Sequence, residues 1–180
     1  PLIGGWGSIN WMVPWAGDIG RETGDPSLAP RVIMARSLAS IVGSILAGVI
    51  AIAVGRRRTY LISCLCAFVA AQCAFWFTVP GDDMFFVWIV VLGLFNGIFF
   101  GWLPFFLPEL FPTRIRSTGT GVSFNFGRIL TAVTLFGTGY LLGIFDGNHA
   151  VIGRITSFIF LLGVVAIKFA PDTSKRNMEE

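Results

Sequence analysis

Arg128 and Asn125 stand about one helical turn apart in an otherwise apolar stretch, and Asn96 sits near the middle of another. A guanidinium and an amide on one helix face can hold a carboxylate or another anion through charge-assisted hydrogen bonds. If the helix carrying Arg128 begins near Ser117, the arginine lies about 16 Å along it, close to the centre of a hydrocarbon layer ~30 Å thick. An arginine at that depth costs at least ~2.5 kcal/mol on insertion scales unless it meets protein, water or an anion. Three settings answer that cost: snorkelling to an interface, a structural pair with another helix, or an anionic substrate or coupling carboxylate. Asn96 also needs a partner, either an interhelical hydrogen bond or a polar pathway. Arg36 and Arg154 lie about a turn inside the ends of their apolar stretches and read as interface anchors.

Other chemistry is not expected. No nucleophile stands beside a histidine base, no acids are paired for a pocket, and no phosphate-binding or dinucleotide loop occurs, which excludes the usual enzyme constellations. Cys64, Cys66 and Cys73 share one apolar run, far in sequence from the single histidine, His149. They read as buried thiols, so neither a metal nor a cofactor is expected. The net charge of +3 does not point to nucleic acid, because the basic residues collect in the gaps between apolar runs. No acid falls at mid-membrane depth, so a proton-carrying carboxylate is not expected within this stretch.

The elements that must position these side chains are long and uncharged. Hydrophobic residues make up 54% of the 180 and charged residues only 13%, where soluble domains carry about 25% charge. Mean hydropathy is +0.76. Gly55-Arg56-Arg57-Arg58 separates two uncharged runs, Leu38–Val54 and Tyr60–Val79, each long enough for a membrane-crossing helix. Complete spans are expected at about 32–54, 59–78, 84–107, 117–142 and 151–170, within a membrane domain of 32–170. Residues 1–17, with Trp6, Trp11 and Trp15 and interrupted by Pro14, form the last part of a further span or an interfacial helix. Residues 18–31 read as an outer loop and 171–180 as a polar, cytoplasmic tail. Pro104 predicts a kink or an early end in the third complete span. Gly43, Ser44, Ala47, Gly48 and Ala51, and again Gly119, Thr120 and Gly121, predict close helix contact.

Charge orients the bundle. Arg56, Arg57 and Arg58, then Arg114 and Arg116, then Lys168, Lys175 and Arg176 occupy alternate gaps, while 80–83 holds acids and no base. The basic gaps are therefore expected in the cytoplasm, with the C-terminus on that side. The chain reads as an all-α, polytopic membrane helical bundle in a lipid bilayer, with five complete transmembrane helices plus a partial one.

One connector carries a more specific signal. Pro108-Glu109-Leu110-Phe111-Pro112-Thr113-Arg114-Ile115-Arg116, followed by Asn125-Phe126-Gly127-Arg128, resembles the C-terminal half of a major facilitator superfamily transporter. The likeness is to the metabolite:proton symporters, which include aromatic-acid, sialic-acid and sugar-like carriers. Gly48, Gly55, Arg56 and Arg57 fit that family's repeated motif G-x-x-x-D-R-x-G-R-R, although Ile52 and Ala53 stand where the acid and first basic residue usually are. The resemblance implies one half of a major-facilitator fold, partnered by an N-terminal six-helix half. It also implies proton-coupled alternating access for a small organic solute, with multi-pass residence in a cell membrane, the bacterial inner membrane. Gly48, Gly55, Arg56, Arg57, Glu109, Arg114 and Arg116 would then form the cytoplasmic gate or motif. Arg128, Asn125 and Asn96 would face the substrate cavity, with Arg128 favouring an anion. The alternative is a truncated, non-transporting membrane protein or helical scaffold.

Overall fold

In lipid every backbone polar group must find its partner inside the protein, so uncharged runs of this length become helices. The computed structural model describes residues 4–5 and 9–169, with the side chains of Leu135, Phe136 and Thr138 outside the description. Trp6, Ala170 and the tail expected at 171–180 also lie outside the described residues. A 3-10 turn, Ile9–Trp11, leads into α1 (Met12–Thr23), then α2 (Leu28–Val54), α3 (Arg56–Phe77) and α4 (Asp83–Glu109). A second 3-10 turn, Thr113–Ile115, precedes α5 (Arg116–Phe136), which α6 (Thr138–Ile144) continues after a break at Gly137. The last crossing is divided into α7 (His149–Thr156) and α8 (Ile159–Phe169). Among the described residues five stretches are long and apolar enough to cross a membrane: Leu28–Val54, Arg56–Phe77, Asp83–Glu109, Thr113–Ile144 and His149–Phe169. The chain is an all-α membrane bundle.

Two expectations are corrected. The stretch 18–31 is not one loop: α1 continues to Thr23 and α2 begins at Leu28, so only residues 24–27 lie between helices. Pro14 and Pro30 do not oppose this, because each sits in the first turn of its helix, where an N–H has no intrahelical acceptor. Gly24, at φ 73°, closes α1 with its N–H donating to the Gly20 carbonyl. Pro104 does not end α4 either, since the helix runs through it to Glu109.

The described part of 1–17 packs inward. Ile9, Trp11, Met12 and Ala16 are buried, and Trp15 meets the rings of Phe75 and Phe85.

The most extensive helix pair is α2 against α4. Gly93, Gly97 and Gly101 of α4 face Arg36, Ser40 and Ser44 of α2 in parallel steps of one turn. A Cβ on Gly93 would lie 2.5 Å from the Arg36 carbonyl oxygen, and one on Gly101 2.6 Å from that of Ser44. One on Gly97 would collide with the Ser40 carbonyl, and from the other side Gly43 is pressed on the Leu94 carbonyl. The glycines bring backbone against backbone, as membrane helices do where no hydrophobic force drives them together. By contrast Gly48 is in ordinary contact, with the Phe105 ring 3.6 Å away. Gly119 packs on the Phe111 ring, whereas Gly121 has open space beside it. A second layer sets α3, through Ala67, Ala70, Ala71, Ala74 and Phe75, into the core with Phe85, Ile89 and Leu92 of α4.

Candidate functional site

The helix seam leaves a cavity of about 470 Å³ on its flank. Arg36, Ser37, Ser40 and Ser44 line it from α2, Asn96 and Phe100 from α4, and Asn10 from the first 3-10 turn. Arg36, Ser40 and Ser44 recur every four residues, so the register that meets the glycines also sets a polar stripe beside them. The half-buried Arg36 donates from Nη1 to Asn10 Oδ1 at 3.1 Å. Ser44 Oγ donates to the Gly97 carbonyl at 3.1 Å. Asn96 Oδ1 is buried without a hydrogen-bond partner and lies so close to Gly5 that a Cβ there would stand 2.6 Å away. Among the described residues the cavity lining contains one cation, several hydroxyls and amides, and no carboxylate.

The cavity takes in Asn96 but not the other two residues expected with it. Asn125 and Arg128 are exposed on α5, and Asn125 Nδ2 donates back to the Gly121 carbonyl of its own helix at 2.9 Å. Their neighbours Ser123, Phe124 and Gly127 face a separate, mostly apolar cavity of about 370 Å³ with Tyr60, Cys64 and Phe160. Arg36 departs from the expected interface anchor, since it turns to Asn10 and the cavity. Its signal was present in the sequence as Arg36, Ser37, Ser40 and Ser44 interrupting one side of an apolar helix. Arg154 is likewise engaged within the bundle, donating from Nε to the Phe75 carbonyl at 2.9 Å and lying 4.0 Å over the Trp76 ring.

At the arginine-turn end, Gly55 links α2 to α3 at φ 97°, a conformation that favours glycine. That turn carries Arg56 to Glu109 at the end of α4, at 3.1 Å, with the carboxylate only 8% exposed. Arg57 donates to the Lys168 carbonyl at 2.8 Å. Arg116 Nε reaches the Phe111 carbonyl at 3.4 Å, and Arg114 is exposed. Arg56 and Glu109 are thus in contact although 53 residues apart, while Gly48 lies higher in α2 beside Phe105.

At the opposite end, His149 Nε2 and Asp18 Oδ2 are 2.7 Å apart, joining α7 to α1, and Arg21 pairs with the same carboxylate. Burial alone would push the Asp18 carboxyl up. Hydrogen bonds and charge from Arg21 and His149 outweigh it and hold Asp18 below the usual carboxylate range.

The chain belongs to the Major Facilitator Superfamily, whose family model matches residues 2–179. That is a family of transporters rather than enzymes, and the chain is a multi-pass membrane protein of that class. It is similar to the cis,cis-muconate transport protein of Acinetobacter baylyi, at 29% identity over 133 residues, covering 73% of this chain and 31% of that protein. It is also similar to solute carrier family 2, facilitated glucose transporter member 1, of Gallus gallus, at 28% identity over 145 residues, covering 77% and 29% respectively. The chain therefore spans about a third of the length of these curated relatives. Its fold matches a proton:xylose symporter solved with 6-bromo-6-deoxy-D-glucose, at a TM-score of 0.76 and 19% identity, over 96% of this chain and 42% of that one.

Proposed function

We propose that the chain is part of a secondary active carrier that moves a small organic anion by proton-coupled alternating access. The observation that carries this reading is the cavity beside the α2–α4 seam, lined by Arg36, Asn10, Asn96 and serines with no carboxylate among the described residues, in a fold that corresponds to part of a symporter. The name of the muconate transport relative favours an organic acid as cargo, and that of the xylose symporter favours protons as the coupling ion. In this reading the chain works against a second, N-terminal six-helix half, the two rocking about a site between them. Asn96 lines the cavity, and Asn125 and Arg128 on the exposed side of α5 complete the pathway. Glu109 with Arg56, and Arg57, Arg114, Arg116, Gly48 and Gly55 near them, form the cytoplasmic gate of a bacterial inner-membrane protein whose C-terminus is inside.

The test is uptake into proteoliposomes by the protein at its full natural length. Labelled aromatic acids, sugar acids and cis,cis-muconate are supplied with and without an inward proton gradient. Saturable uptake that rises with the gradient, and that Arg128→Ala abolishes in folded protein, is expected. Folded protein that takes up none of these solutes under either condition would return the chain to the scaffold reading.

A further inference from the structure

Resting on the carrier reading above, we infer that Arg36 is a specificity-determining residue. Its guanidinium binds the carboxylate of the transported solute, and Asn10 is the positioning residue that aims it. The argument begins with hydrogen-bond capacity. Arginine has five N–H donors in a planar fork. In Arg36 one of them meets Asn10 Oδ1 at 3.1 Å, a neutral acceptor that orients the fork without neutralising it. Among the described residues, the ion pairs join Arg21 and His149 to Asp18, Arg31 to Asp25, and Arg56 to Glu109, and none includes Arg36.

A half-buried cation inside an apolar helix is costly unless protein, water or an anion meets it, and Asn10 takes up one donor and leaves the charge unneutralised. The space Arg36 lines is ready for an anion. Ser37 and Ser40 add hydroxyl donors, Asn96 adds an amide, and the cavity of about 470 Å³ has room for a small acid. The planar fork matches a carboxylate in two parallel hydrogen bonds, which a neutral amide or sugar hydroxyl does not reproduce. The seam holds this geometry. Gly93 lies against the Arg36 backbone so closely that a Cβ there would stand 2.5 Å from its carbonyl oxygen, and this fixes the height of the guanidinium in the bundle.

The experiment uses the full-length protein and matched probes: benzoate against benzamide, and glucuronate against glucose. Arg36→Gln is expected to weaken binding of the acids by roughly 30-fold or more, as loss of one partner of a buried charge pair does. The neutral probes should bind it as they bind wild type, and Arg36→Lys should recover part of the acid affinity.

Asn10→Asp separates this role from a structural one. It places a permanent carboxylate against Arg36, so thermal stability in detergent should hold or rise while acid binding falls. That variant decides the matter even if Arg36→Gln does not fold. Unchanged acid affinity in Asn10→Asp overturns the inference. So does competition by inorganic phosphate as strong as that by benzoate, since it would make the site a general anion trap. Wild type that transports glucose but binds neither acid overturns it too, together with the anion as cargo, while leaving intact that the chain is part of a secondary carrier. Absence of uptake for every probe overturns both.

Discussion

The α2–α4 seam and α5 are both membrane helices carrying an arginine among apolar residues, and the fold treats them in opposite ways. Along the seam, carbonyls of Arg36, Ser40 and Ser44 lie against bare glycine backbone, and Arg36 is held by Asn10. Helix α5 packs sparsely: Val122, Phe126, Ile129 and Val133 are exposed, a Cβ on Gly121 would meet nothing within 4 Å among the described residues, and Arg128 stands exposed. A polar side chain acts selectively when neighbours fix its direction, because less of its freedom is lost on binding. The seam supplies that fixing for Arg36, whereas Arg128 stands on the exposed side of α5.

The strongest way to break the contrast is to add volume on each side of it. Gly97→Leu forces a side chain into the Ser40 carbonyl and should lower stability by roughly 1–3 kcal/mol or more, as overpacking does. Gly121→Ala meets nothing within 4 Å and should be neutral or stabilising by up to about 1 kcal/mol, from helix propensity. Detergent melting curves of the two variants compare them directly. Equal melting temperatures would mean the seam is not a fixed contact.

A smaller effect is expected where the two inner helices are tied at the arginine turn. The Arg56–Glu109 pair is largely buried, so Arg56→Gln, Glu109→Gln and the double variant should show a coupling of roughly 0.5–3 kcal/mol. Arg114→Gln, on the exposed approach to α5, should change stability by no more than about 0.5 kcal/mol. Additive single variants in the first set would remove the clamp from the comparison.

The smallest effect belongs to the Asp18–His149 contact. Because the folded-state carboxyl is held low, its contribution is complete above the unfolded carboxylate value and fades as pH falls through the folded one. The contact is partly exposed, so it is worth less than about 1 kcal/mol. Wild type should lose its margin over Asp18→Asn as melting is followed from pH 5 downward. A margin that widens on acidification would mean that Asp18 is not stabilised as the anion.

Much of the architecture was legible in the residues. The uncharged runs flanking Gly55–Arg58 require helices, and the connector at 108–116 carries the family resemblance. Helix ends were harder to place. Asp18, Arg21 and Glu22 suggested a loop, yet they continue α1, since charges outside the hydrocarbon layer do not stop a helix and Gly24 does. The candidate site was half legible. Asn96 lines the cavity, whereas Arg128, marked by its depth, its Asn125 neighbour and the family resemblance, stands outside it on α5, and Arg36 looked like an anchor because it lies near a span end.

The sequence by itself determined that this is a membrane bundle, which stretches are long and apolar enough to cross, and where the arginine turn and the acidic turn at 80–83 lie. Those properties depend on the length and polarity of single segments in lipid. Only the tertiary structure decided which helix meets which face. The small residues Gly43, Ala47 and Ala51 mark the buried side of α2, while Ile45, Val49 and Ile52 are exposed, but a small-residue side does not by itself name its partner helix. The glycine register of α4 sets that face, and Asn10, 26 residues before Arg36, gives the arginine its direction.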